Sequence, residues 1–241
     1  MSVLLLVLSA SIACAQDENP WNYDLSASLW TGNTAVEVLP TGGGDPIKVE
    51  LPDFLDNFQL GFVLRGEARR GKFGMLLDVG YIELTASDSP SNPDIDDIDV
   101  DVNSTLINLS GIFRLHGADK FSLDVLPGIQ YYNGDSDVTI QGTNPSMTSG
   151  NRSFWDPVLG LRVRTKLLNK IGINAYGNVG GFGLSSQTTA QVAAVIGYDL
   201  FEFLQVQAGV RIVSWEFDES EDQDLLSQRI SGLTFGLMLS L

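Results

Sequence analysis

Arg65, Glu67 and Arg69 stand two residues apart, and Arg162 and Arg164 repeat the same step. Guanidinium and carboxylate groups at this spacing can pair with one another, line a path for small anions, or position a proton. Asp24, Asp78, Arg114, Asp124 and Arg211 join the set by the alternation of their own segments. A second group lies in DIDDIDVDVN, Asp94 to Asn103, where Asp97, Asp99 and Asp101 offer oxygen ligands to a hard cation. A calcium loop also needs a turn glycine and a closing glutamate, and neither stands at the required spacing. The run reads as a solvated acidic hairpin, with weak divalent-cation binding as its functional alternative.

Catalysis has less to build on. His116 is the only histidine and falls at a tight turn, away from any Ser-His or Asp-His arrangement. Cys14 is the only cysteine, so the chain beyond it has neither disulfide nor thiolate chemistry. GNVGGFG (Gly177 to Gly183) has no following Gly-Lys-Ser/Thr and no helix, so its glycines ease strand curvature or make room for lumen neighbours. No enzyme, cofactor or dedicated metal site is expected. The net charge of −16 argues against a nucleic-acid partner, because phosphate contacts need a basic surface.

Strands hold these residues. Sustained helical spacing is absent after the first segment, whereas period-two alternation recurs about ten times between Gly, Asn, Asp and Pro. In FQLGFVLRGEARR, Phe58, Leu60, Phe62, Leu64 and Ala68 share one face while Gln59, Arg65, Glu67 and Arg69 share the other. The strands expected are 21–32, 58–70, 73–86, 103–115, 121–132, 154–166, 171–183, 188–199, 204–217 and 229–241. Connections alternate long and tight, with Leu184 to Gln187 the exception among the long ones. The tight turns carry Arg70, Lys72, Lys120 and Lys170, and the long connections hold Asp94 to Asp101 and an acidic cluster at 218–224.

This pattern predicts an all-β, antiparallel up-and-down transmembrane β-barrel of about ten strands, with eight as the alternative. Apolar-face aromatics gather at both strand ends: Trp21, Tyr23, Phe73 and Phe121 near the turns, Phe58, Tyr81, Tyr131 and Trp155 near the loops. Trp30 and Trp215 fall on the polar face, so either a bulge intervenes or they plug the lumen mouth. Asp53 to Asn57 is a candidate lid. Residues 1–15, with a short apolar run and Ala13-Cys14-Ala15, read as an export signal, leaving 16–241 as the barrel.

GEARRGKFGMLLDVGYIEL (Gly66 to Leu84), DPVLGLRVR (Asp156 to Arg164), NVGGFG and the closing GLTFGLMLSL resemble small Gram-negative outer-membrane β-barrel proteins of OmpA-like and OmpW-like architecture. The resemblance implies an outer-membrane location with both termini in the periplasm, and contact with outer-membrane lipid and lipopolysaccharide. Divalent cations at the acidic loops are a candidate partner. Such barrels include tethers, narrow channels, adhesins and a few enzymes, so the expected role is structural or that of a narrow passive small-solute channel. Two alternatives stay open: an outer-membrane enzyme acting on lipid or peptide, and a soluble β-barrel that binds an apolar ligand. Oligomeric state is undetermined at this level.

Overall fold

The computed structural model describes residues 20–31, 33–38, 47–50, 60–88, 95–143, 145–217 and 225–241. The export-signal segment, the candidate lid, Phe58 and the acidic cluster at 218–224 lie outside these residues.

Alternating segments become strands because β-branched and aromatic residues pack on a pleated surface. The strands are β1 (Asn22–Thr31), β2 (Asn33–Val38), β3 (Ile47–Glu50), β4 (Leu60–Arg70), β5 (Phe73–Asp88) and β6 (Ile95–Ala118). They continue as β7 (Phe121–Gly142), β8 (Ser146–Leu168), β9 (Ile171–Gly181), β10 (Thr188–Phe201), β11 (Leu204–Glu216) and β12 (Leu225–Ser240). Ten of them, β1 and β4 to β12, pair antiparallel in sequence order and close where β12 meets β1, from Asp24↔Ser240 to Trp30↔Thr234. Reciprocal backbone bonds between Tyr23 and Leu241, at 3.0 and 2.8 Å, finish that seam. β2 and β3 form a short hairpin extending the far end of β12.

Two-residue turns join β4–β5, β6–β7, β8–β9 and β10–β11 at one end, the turn end. Gly71 takes the first with φ of 61°, a conformation glycine adopts without a Cβ clash. The opposite, loop end is uneven. β6, β7 and β8 run 24, 22 and 23 residues, against the roughly 9–11 that a tilted strand needs to cross a bilayer. β9 stops pairing with β8 at Val158↔Gly180, and β4 with β5 at Phe62↔Tyr81. The outer parts of β5 to β8 therefore stand beyond the barrel rim as a wall. The expected strand positions agree with those found, but the expected ends at Asn103, Tyr132 and Phe154 fall well inside β6, β7 and β8.

Strand parity sorts the side chains. Leu25, Leu29, Leu64, Met75, Leu77, Leu109, Leu159, Leu161, Ile196, Val210 and Leu237 face outward and are exposed. Trp21, Tyr23, Phe73 and Phe121 flank this belt at the turn end, and exposed Tyr81 and Trp155 flank it at the loop end. Tyr131 packs against Trp155 with the rings tilted, at 4.6 Å between centroids. An apolar band between aromatic girdles is the outer surface a barrel presents to hydrocarbon, and a soluble barrel would turn these faces inward.

Candidate functional site

Inward-facing positions fill the lumen, and strand order decides which charges meet. β4, β5, β7 and β8 bring Glu67, Asp78, Asp124 and Arg162 inside, where all four are buried. In the turn-end half, Arg162 Nη1 and Nη2 donate to Glu67 at 2.7 and 3.2 Å, and its Nε and Nη2 donate to Asp124 Oδ2 at 3.1 and 2.8 Å. Arg114 forks onto Asp124 at 2.6 and 3.1 Å. Arg164 pairs with Glu67 and reaches Asp24 at 3.5 Å, while Ser240 donates to Asp24 at 2.8 Å. Arg69 lies 3.8 Å from Glu67 and donates to the Gly71 carbonyl at 3.1 Å. One layer higher, Asp78 accepts from Arg65 at 2.7 and 2.8 Å and from Arg211 at 2.7 Å.

All ten charged residues of the sequence-derived set thus meet in the lumen, in one cluster of seven and one of three. Charges at such depth persist only when paired, since an isolated ion leaves its hydration uncompensated. Above them, Asn108 and Gln130 stand opposite each other on β6 and β7, Gln130 donates to Thr189 at 2.8 Å, and Asp156 is buried opposite Gln130. Asp156 accepts from the Ser186 amide at 3.1 Å and from the Ser186 hydroxyl. These bonds tie the 182–187 connection down across β8, with Gly181, Phe182 and Gly183 all at positive φ. Gly180 answers a close approach: a Cβ there would lie 2.3 Å from the Pro157 carbonyl. Asn108, Gln191 and Ser186 were missed as lumen residues, although the parity of their strands carries the signal for the first two.

The loop-end half is built on an apolar cluster, with buried Ser104 and Gln228 bonded to the Tyr132 hydroxyl within it. Trp30, Val63, Ile82, Val102, Leu106, Tyr132, Phe154, Val213, Trp215, Phe217 and Ile230 form one buried cluster. Tyr132 packs on Trp215 at 4.5 Å and on Phe154 at 5.1 Å, and Phe154 meets Phe217 edge-on at 5.2 Å. The Arg152 guanidinium sits 3.6 Å over the Phe217 ring, and burial pulls it below its ordinary pKa. Trp30 and Trp215 are 2% and 1% exposed, so they plug the lumen mouth in regular register, without a bulge.

Asp99 and Asp101 belong to β6 and pair with Thr139 and Asp137 of β7, and Asp97 pairs with Gln141. Asp101 and Asp137 are exposed, and Gln141 donates to Asp99 at 3.1 Å. Among the described residues no group of three or more His, Cys, Asp or Glu is placed to hold a metal ion. His116 is exposed near the turn end, with its ring 5.8 Å from that of Phe121. A cavity of about 480 Å³ occupies the turn end below the ion-pair cluster, with Arg69, Arg114 and Arg164 in its lining and Lys120 and Lys166 beside the turns.

No protein-family model matches the chain, and no curated protein sequence matches it. Among solved structures, the chain is similar to the outer membrane protease OmpT from Escherichia coli, with a TM-score of 0.59 and 12% identity over 96% of this chain and 99% of that one. The transport unit of the autotransporter AIDA-I from Escherichia coli gives a TM-score of 0.49 at 10% identity, covering 98% of this chain and 96% of that one. The first likeness identifies the fold as that of the Gram-negative outer-membrane β-barrels, and it speaks for the fold alone.

Proposed function

We propose that this outer-membrane-type barrel resides in the outer membrane as a sealed structural element of the envelope, with its termini in the periplasm and the β5–β8 wall outside. The observation that carries the reading is the filled lumen: an aromatic plug at the loop end stands on a paired charge cluster at the turn end. Narrow barrels fill with side chains, and lumen arginines bonded to carboxylates, all but Arg69 at hydrogen-bond distance, leave no row of free cations to conduct anions. The reading is non-catalytic, since the single histidine lies at the turn end, away from the loop-end mouth.

The outer face of the wall supports a lipid-headgroup role. Just beyond Tyr81, Tyr131 and Trp155, it carries Glu83, Asp101, Asp135 and Asp137. In this reading, carboxylates at that height share divalent cations with lipopolysaccharide phosphates. Reconstitution into planar bilayers tests the seal. The refolded protein, checked by a faster-migrating unheated band on an SDS gel, is expected to give no discrete conductance steps. Steady unitary steps from the wild-type chain would overturn the sealed reading in favour of a passive channel. Protease clipping of a C-terminal tag on intact cells would overturn the assignment of the termini.

A further inference from the structure

The turn-end cavity holds one guanidinium, that of Arg69, which the ion-pair cluster leaves short of acceptors. The cavity's deep wall belongs to a cluster of four guanidiniums, Arg69, Arg114, Arg162 and Arg164, against three carboxylates, Asp24, Glu67 and Asp124. Those carboxylates are already occupied. Asp124 is held by Arg114 and Arg162, Glu67 by Arg162 and Arg164, and Asp24 by Ser240 and Arg164. Arg69 is left with the longest pair, 3.8 Å to Glu67, and its buried Nε has no hydrogen-bond partner. Asn174 Oδ1, a buried acceptor without a partner on a residue lining the same cavity, can meet only the P–OH hydrogen of a protonated phosphate, not its bare oxygens. Lys120 and Lys166 add positive charge, and Asp119, Asp199 and Glu202 oppose it. Asp199 is itself engaged by Gln205 at 2.6 Å.

We infer that this cavity is a binding site for a small phosphate-type oxyanion, held by Arg69 with Arg114 and Arg164. Guanidinium forks match tetrahedral oxyanions in shape and charge, and a bound anion gives Arg69 Nε a closer acceptor than Glu67 at 3.8 Å, beside the bond Nη1 already makes to the Gly71 carbonyl. The cavity volume lies within the range of about 300–1,000 Å³ typical of small-molecule sites. The same chemistry fits inorganic phosphate or the phosphate of a small monoester. The site is blind: the charge cluster and the aromatic plug close it from the loop end, so it binds rather than conducts.

Titration calorimetry on the refolded full chain in detergent, with inorganic phosphate and then glycerol phosphate as probes in a chloride buffer, tests the inference. One equivalent of either probe should bind per chain, and Arg69→Gln should weaken binding about tenfold or more. Asn174→Ala, which leaves every ion pair in place, separates a binding effect from misfolding and should bind phosphate with an altered heat. Tighter binding of glycerol phosphate than of phosphate would assign the site to phosphomonoesters, and the reverse would assign it to the free ion. Heats indistinguishable from dilution for both probes, or equal affinity in a folded Arg69→Gln protein, would overturn it.

Discussion

At the turn end, Asp124 is wholly buried with Arg114 and Arg162 donating to both of its oxygens. At the loop end, Trp215 is equally buried with the ring of Tyr132 4.5 Å away, and its Nε1 has no hydrogen-bond partner. The same strands wall both regions, and one closes by charge pairing while the other closes by ring packing. The difference lies in how each responds to loss. An apolar cluster loses contacts in proportion to the atoms removed, whereas an ion-pair cluster loses a partner and strands the charges that remain.

The largest effect is therefore expected from Asp124→Ala. Removing this carboxylate leaves Arg114 without its carboxylate partner and Arg162 with Glu67 alone, at a cost of about 3–5 kcal/mol. Denaturant unfolding in detergent micelles, followed by tryptophan fluorescence, measures it. A loss under about 1 kcal/mol would mean that water entering the turn-end cavity solvates the stranded guanidiniums, and the contrast between the two halves would collapse.

Trp215→Ala comes next, at about 3 kcal/mol, the lower end for such truncations because its neighbours at the mouth are free to close in. Its second readout is sharper than stability. If rings rather than ion pairs seal the barrel, this variant in a planar bilayer shows brief conductance steps that the wild type lacks. A silent bilayer with a correctly folded variant would place the seal in the charge cluster.

How much of this was legible follows from the range over which each feature is determined. Alternation with period two is local, so the strands and the inward set from Asp24 to Arg211 could be read from neighbours two residues apart. Trp30 and Trp215 were readable as inward for the same reason, but whether a bulge intervened depended on register with a partner strand, distant β12 for Trp30 and adjacent β10 for Trp215, which alternation alone does not specify. The pairing of Arg162 with Glu67 spans 95 residues, and no local pattern specifies it. The outer part of β6 was legible, because Asp97, Asp99 and Asp101 alternate with Ile98, Val100 and Val102 and read as a hairpin extension. That of β7 was hidden: beyond the girdle it turns Asp135 and Asp137 outward, which carry no apolar signal to mark a strand. The turn-end cavity depends on how side chains from β4, β6, β8, β9, β10 and β11 share one cross-section, which no single segment encodes.

Exposed charge supplies the smallest effect and reverses its sign. Asp101 and Asp137 stand directly opposite on β6 and β7 in the wall, so their carboxylates repel across one rung in high dielectric. Asp101→Asn should stabilise that part of the wall by about 0.2–1 kcal/mol, seen as slower amide exchange on the neighbouring rungs of β6 and β7. The gain should shrink as salt is raised from about 0.01 M to 1 M, over which the screening length falls from about 30 Å to 3 Å. Buried Asp124 should show no comparable salt dependence, because the protein and not the solvent surrounds it. Faster exchange in Asp101→Asn than in the wild type, with millimolar magnesium slowing exchange in the wild type alone, would show that the opposed carboxylates share a cation and are held together by it.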